Sequence, residues 1–307
     1  GWYDICREFC TAAGQWIAIP TGAAGAAMVY RRSMLNAAGF DTVPRDFLGF
    51  LQLCKALKVK GTPPGFALGH ATGDANAWVH WVLWGFGAKI VDERDQVTIN
   101  SAQAIAALEY AAELYQTFAV GTGAWLDPNN NKAMLAGDIA LTLNGISIYY
   151  SAKTSADPKM KAIAADLEHA HYPVGPAGNS ARAATIFPAF VFKYTKYPNA
   201  AKDYLRFMME KEQYEPWQAA SIGYISHTLR AYESNPVWTA DPQHAFFRDV
   251  VKTMRHYGYA GKPGKASVGA AADFIVVDMF AEACTRSQTP KAAAERAEKR
   301  ARRHYRS

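Results

Sequence analysis

Residues 84–101 read WGFGAKIVDERDQVTINS, and the change of pattern inside this stretch decides the fold class. The apolar helical pattern of residues 77–86 stops at Gly87, a residue suited to the left-handed turn that closes a helix. Residues 89–99 read as two short strands around a polar turn at Asp92–Asp95. Asn100 then stands where a cap opens a helix to about Phe118, with Ile105, Leu108, Ala112 and Tyr115 at helical spacing. A helix, a pair of short strands and a second helix in succession predict an α/β protein.

The alternation continues outward in both directions. Upstream, Trp16–Ile19 reads as a strand ended by Pro20, Thr21–Ala27 as a small-residue turn, and Met28–Tyr30 as a second strand. A short helix from Ser33 stops at Gly39. Asp46 can cap a helix carrying Phe47, Phe50, Leu51, Cys54 and Leu57 on one side, and Phe66–Leu68 reads as a strand. Downstream, Lys132–Ala136 is a short helix closed by Gly137, and Ile139–Leu143 a buried strand. Thr185–Phe192 is a strand run in which Pro188 forbids a regular ladder. Helices follow after Pro198, over Asp241–Tyr257, and over residues 270–284 and 290–303.

The 307 residues, half hydrophobic and a fifth charged, suffice for one large or two medium domains with cores of their own. No stretch approaches the roughly 18 apolar residues that a membrane span requires. Gly1–Cys10 lacks the basic start and apolar run of a signal peptide, and with no initial Met the chain reads as a mature form or a fragment. The net charge of +6 is concentrated: residues 291–306 hold seven Lys and Arg against Glu295 and Glu298, a net of +5, leaving about +1 elsewhere. This tail reads as a solvated helix face. It lacks the pattern of a nucleic-acid surface, and no nucleic-acid partner is expected.

Cys6, Cys10, Cys54 and Cys284 match neither a zinc site nor a disulfide scaffold and read as buried thiols, with Cys6 and Cys10 able to share a helix face or pair. The chain has no His-Glu-x-x-His, no Gly-x-Ser-x-Gly, no phosphate-binding loop and no Gly-x-Gly-x-x-Gly after a strand. His169 and His171 have no third ligand nearby in sequence and read as a surface loop. No catalysis, cofactor or metal is expected.

Four segments, taken in order, resemble the extracellular solute-binding proteins of ABC importers, in the sugar-binding family that includes maltose-binding protein. They are Ile17–Pro20 with Met28–Tyr30 and Leu35–Gly39; Trp84–Gly87 with Ile90–Asp92 and Val97–Ser101; Lys132–Met134 with Gly137 and Asn144–Gly145; and Tyr172–Pro173 and Gly175–Pro176 with Tyr197–Phe207. The resemblance implies a two-lobed periplasmic-binding-protein fold of type II-like form around a central cleft. Residues 24–186 and 241–307 would form the second lobe. Residues 187–240 and a residual segment, 1–23, would belong to a first lobe that lacks its opening strand–helix units, with apolar surface left exposed.

The function so implied is capture of a carbohydrate by lobe closure, without chemistry on the ligand. The protein would be an exported, periplasmic monomer, with an ABC permease of the cytoplasmic membrane as partner. Alternatives are a binding protein for a polyol, a glycerol phosphodiester or a polyamine, or a carbohydrate-active enzyme; a polyamine would need more carboxylates than Asp74 and Asp273. The resemblance places ligand contacts at Asp74, Asn76, Trp78 and Trp81, and at Asn144, Ser147 and Tyr149, where many relatives carry Trp. Tyr224 and Phe274 complete the set, and Trp125, Phe187 and Trp238 are weaker candidates. The spacing of Trp78, Trp81 and Trp84 equally fits the core face of a helix.

Overall fold

The computed structural model describes residues 1–306. The chain forms two compact units, one from Gly1–Ala26 and Ala184–Met254, the other from Ala27–Ala183 and the residues from Arg255 onward. In chain order, the first unit opens with α1 (Asp4–Cys10) and β1 (Ile19–Ala23). The second holds β2 (Ala27–Arg31), α2 (Phe47–Val59), α3 (Asp74–Gly85), α4 (Ala102–Tyr115), α5 (Asp127–Ala136), β3 (Leu141–Asn144), α6 (Ser147–Thr154) and β4 (Leu167–Ala170). The first resumes with β5 (Ile186–Ala189), α7 (Pro198–Met208) and α8 (Lys211–Ala220). The second ends with α9 (Lys265–Ala272), α10 (Ile275–Cys284) and α11 (Pro290–His304).

In the second unit β2 is the centre of an antiparallel sheet ordered β3–β2–β4, with Val29 opposite Thr142 and His169. Residues Ala27–Tyr30 are all buried, so this strand is a continuous apolar run instead of an alternating one. Its helices enclose an aromatic core. Trp81 meets Phe47 and Phe50 edge-on, and Trp78 meets Phe118 and Phe280 edge-on, a favoured geometry for rings. The Asp46 carboxylate accepts the Gly49 N–H at 2.8 Å and caps α2 as expected. Gly87 and Gly137 stand at φ +82° and +86°, closing α3 and α5.

Several expected elements differ. Phe66–Leu68 is buried but outside any strand; just before it Pro64 bridges Leu141, and the Leu68 N–H goes to the Thr122 carbonyl at 2.9 Å. Residues 89–99 reduce to one bridge, Val91 to Val97. Ser101, not Asn100, caps α4, its hydroxyl accepting the Ala104 N–H at 3.2 Å, while the Asn100 amide donates to Glu298. The buried face of α4 is accordingly Ala104, Ala107, Leu108, Ala111 and Leu114. Helix α5 begins at Asp127 instead of Lys132, with Pro128 in its first turn, where a missing N–H costs nothing. The helix expected over 241–257 stops at Arg248 and becomes a 3-10 turn, Val250–Thr253. Phe247, Val250, Val251 and Met254 are nonetheless buried as expected. Residues 241–254 also fall in the first unit, whereas the return to the second lobe was expected at Asp241.

In the first unit β1 starts at Ile19 and runs through Pro20, which faces Pro188 of β5 beside a register shift between Pro20 and Gly22. Neither proline has an N–H to place in a ladder, and the irregularity accommodates both. Cys6 and Cys10 lie on the inner face of α1; they, Cys54 and Cys284 are buried free thiols. Helix α7 buries none of its residues.

Candidate functional site

The site of interest lies in the second unit, where α3, α5 and α6 begin and β3 ends. The first N–H groups of a helix have no carbonyl partner within it. At α3, Asp127 supplies one: its Oδ1 accepts the N–H groups of Gly73 and Asp74 at 3.0 and 2.8 Å. The Asp74 side chain turns inward, with Oδ2 buried and without a hydrogen-bond partner. Burial first, and then the negative charge of Asp127, push the Asp74 carboxyl up to about 7, against a hydrogen bond from Asn130 that favours the ionised form.

Asn130 and Asn131, in the first turn and a half of α5, carry the network onward. The Asn130 amide donates to Thr142 Oγ1 and to the Leu143 carbonyl, each at 3.4 Å. Asn131 donates to Ser147 Oγ at 3.0 Å. Asn144, the last residue of β3, donates to Asn131 Oδ1 and, at 3.2 Å, to Ser147 Oγ. The charge of Asp74 also bears on Tyr172, whose buried ring carries the Arg182 guanidinium 4.5 Å from its centroid. The result is a polar bay of amides, a hydroxyl and a carboxyl, hydrogen-bonded largely to one another, with Asn130 fully buried at its back.

A second cluster stands at the start of α10. Phe274 adopts φ +51°, and the His70 imidazole stacks on its ring at 4.4 Å and 5°. His70 Nε2 lies 2.8 Å from Asp278 Oδ1, and Asp278 Oδ2 accepts from Arg300 at 2.6 Å. His70 therefore already occupies one face of Phe274.

Residues 1–246 match the family described as bacterial extracellular solute-binding protein. The chain belongs to that family. Among relatives of this solute-binding protein is a "Probable ABC transporter-binding protein" of Deinococcus radiodurans, 24% identical over 251 residues. That match takes in 78% of this chain and 58% of the relative's length. The maltose-bound binding protein of T. maritima superposes with a TM-score of 0.81 at 19% identity, covering 98% of this chain and 76% of that one. A mannitol-bound solute-binding protein of Agrobacterium vitis superposes with a TM-score of 0.76 at 17% identity, covering 95% and 73%. These superpositions establish the two-lobed periplasmic-binding-protein fold.

Of the side chains expected at the site of this solute-binding protein, Asp74, Asn144 and Ser147 come together in the bay. Asn76 turns back on its own helix, donating to the Thr72 carbonyl at 3.1 Å, and is 3% exposed. Trp78 and Trp81 are corrected to core residues: both are fully buried, and their indole N–H groups donate to the carbonyls of Ala67 and Pro173. An indole enclosed on all sides has no face for a sugar. Tyr149 is buried, edge-on to His169, with the Lys153 ammonium over its ring. Tyr224 lies in the first unit, 41% exposed, beside Gly223, whose Cα packs against Trp238.

Asp127, Asn130, Asn131 and His70 are participants that the sequence reading did not single out. The run Asp127-Pro128-Asn129-Asn130-Asn131 was the available signal, a proline at helix position N1 or N2 followed by side chains that favour helix starts. His169 is a buried residue of β4, not a loop residue. Among the described residues no three His, Cys, Asp or Glu side chains gather as a metal site would require.

Proposed function

We propose that this protein is the substrate-binding component of an ABC importer and that it captures a neutral polyhydroxylated solute, a sugar or polyol, outside the cytoplasmic membrane. The observation that carries the proposal is the bay of Asp74, Asn131, Asn144 and Ser147, with Asn130 fully buried behind it. A buried carboxyl with an unpartnered oxygen is costly to leave unmet, and a ligand hydroxyl donating to it would remove that cost. The amides can donate and accept in fixed directions, which reads hydroxyl stereochemistry without demanding charge on the ligand. Family membership supports the transport role. The maltose and mannitol seen on structural relatives support the solute class. Periplasmic location, lobe closure, action as a monomer and a membrane permease as partner belong to the same reading.

The test is a titration of the purified protein with mono- and disaccharides and polyols, followed by thermal shift and calorimetry, with analysis of the recovered ligand. Saturable one-to-one binding of one class, with the ligand unchanged, supports the carrier. Turnover of the sugar would replace it with the enzyme alternative, and selective binding of polyamines would move the solute class. A second titration with Asn144→Ala should weaken binding about tenfold, the order expected for loss of a polar contact to ligand.

A further inference from the structure

Helix α11 divides into two faces of different chemistry. Ala293, Ala294, Ala297 and Ala301 form a buried stripe, and the helix packs through it on α4, α9 and α10. At 100° per residue, the exposed side chains Lys291, Glu295, Arg296, Lys299, Arg302 and Arg303 fall on the opposite arc. Five cations and one carboxylate share that arc, and Arg306 adds a sixth cation just past the helix end.

The cations differ in what holds them. Arg296 pairs with Glu282 and Arg302 with Glu298, and both remain outward. Arg300, on the flank, is occupied by Asp278 and by the Asp273 carbonyl. Lys299 and Arg303 follow one another at helical spacing, and with Arg302 and with Arg306, two residues past the helix end, they line a shallow groove that Glu295 and Glu298 share, four cations against two carboxylates. Basic residues in a last turn complement the helix dipole. That accounts for Arg302 and Arg303, but not for Lys291, Arg296 and Lys299, which extend the same arc over the whole length of the helix.

We propose that the outer face of α11 docks on an anionic phospholipid surface. The arc is straight and one helix wide. Its exposed side chains include no aromatic group to stack on a base, which sets it apart from a nucleic-acid surface. A row of flexible cations opposite a buried face matches a plane of phosphates, where each cation near the surface adds to attraction and salt removes it. Because the rest of the chain is close to neutral, this one face would set the orientation of the protein at such a surface. The inference stands whether or not the bay binds sugar.

The experiment is co-sedimentation of the full chain with vesicles of phosphatidylcholine alone and with about a third phosphatidylglycerol, at low and near-physiological salt. Two variants of equal net charge are compared: Lys299→Glu/Arg303→Glu/Arg306→Glu on α11 and just past its end, and Lys60→Glu/Lys159→Glu/Lys161→Glu on other exposed positions of the same unit. The expected result is retention by anionic vesicles only, lowered at least tenfold in the α11 variant, nearly unchanged in the other, and falling with salt. Circular dichroism confirms that both variants fold. Equal loss in the two variants would show a net-charge effect and overturn the assignment. So would equal retention by neutral vesicles, or no retention at all.

Discussion

Asp74 is the residue whose environment and chemistry conflict most. Its carboxyl sits at the start of α3 with one oxygen sealed from partners, and it holds its proton to about pH 7, against 3.8 for an ordinary aspartate. The folded protein therefore binds a proton that the unfolded chain has released, and stability falls as pH rises across that window, levelling off above it. The full shift has a ceiling on the order of 4 kcal/mol. Asp74→Asn should consequently be more stable than the parent above about pH 7, by about 1–3 kcal/mol, and show a flat denaturation midpoint across the same window. Asp127→Asn should leave Asp74 easier to ionise and move that window down, readable as a shifted pH dependence in the same melts. For ligand the sign reverses. A hydroxyl donating to the carboxylate favours the ionised form, so affinity should rise with pH through neutrality and binding should release a proton. Calorimetry in two buffers of different ionisation heat near pH 6.5 checks this, and an affinity indifferent to pH would place the ligand away from Asp74. At this scale the family resemblance pointed to Asp74, Asn144 and Ser147, and the hydrogen-bond network runs between their neighbourhoods. Asp127 and the two asparagines could not be read in this way, because their role depends on α5 starting five residues earlier than the apolar pattern that announces it.

Elements were more readable where a single residue type sets the local geometry. Asp46 before α2, and the glycines after α3 and α5, do what their side chains or lack of one dictate. Elements defined by partners in space were less so. Phe66–Leu68 has the composition of a strand and is buried like one, yet it pairs with no strand, the Leu68 N–H going instead to the Thr122 carbonyl. The tryptophans of α3 carried two meanings at once, since rings spaced three apart suit a core as well as a cleft; burial and indole hydrogen bonds decide for the core. Trp78→Ala should therefore act on folding, removing about 3–5 kcal/mol and lowering the melting temperature by several degrees. Trp78→Phe should recover a large part. A variant that melts like the parent but loses ligand would instead return Trp78 to the site.

At the scale of the molecule, apolar exposure is uneven. In the first unit Trp16, Phe190, Phe192, Tyr194, Tyr197, Tyr204 and Phe207 are all exposed, with Tyr194 at 82%. Two of these rings, Tyr204 and Phe207, lie on α7, an amphipathic helix with nothing buried, and a sequence pattern looks the same whether or not such a face is covered. Such a surface binds dyes and neighbouring chains. Because Tyr204 and Phe207 make little buried contact, replacing them together by Lys and Gln should change unfolding free energy by no more than about 0.5 kcal/mol. The same variant should bind less of a hydrophobic dye and sediment as a smaller, more uniform species. If it loses about 2 kcal/mol or more, the two rings are packed in the folded protein in solution, and the face of α7 is covered there by polypeptide that shields it from water.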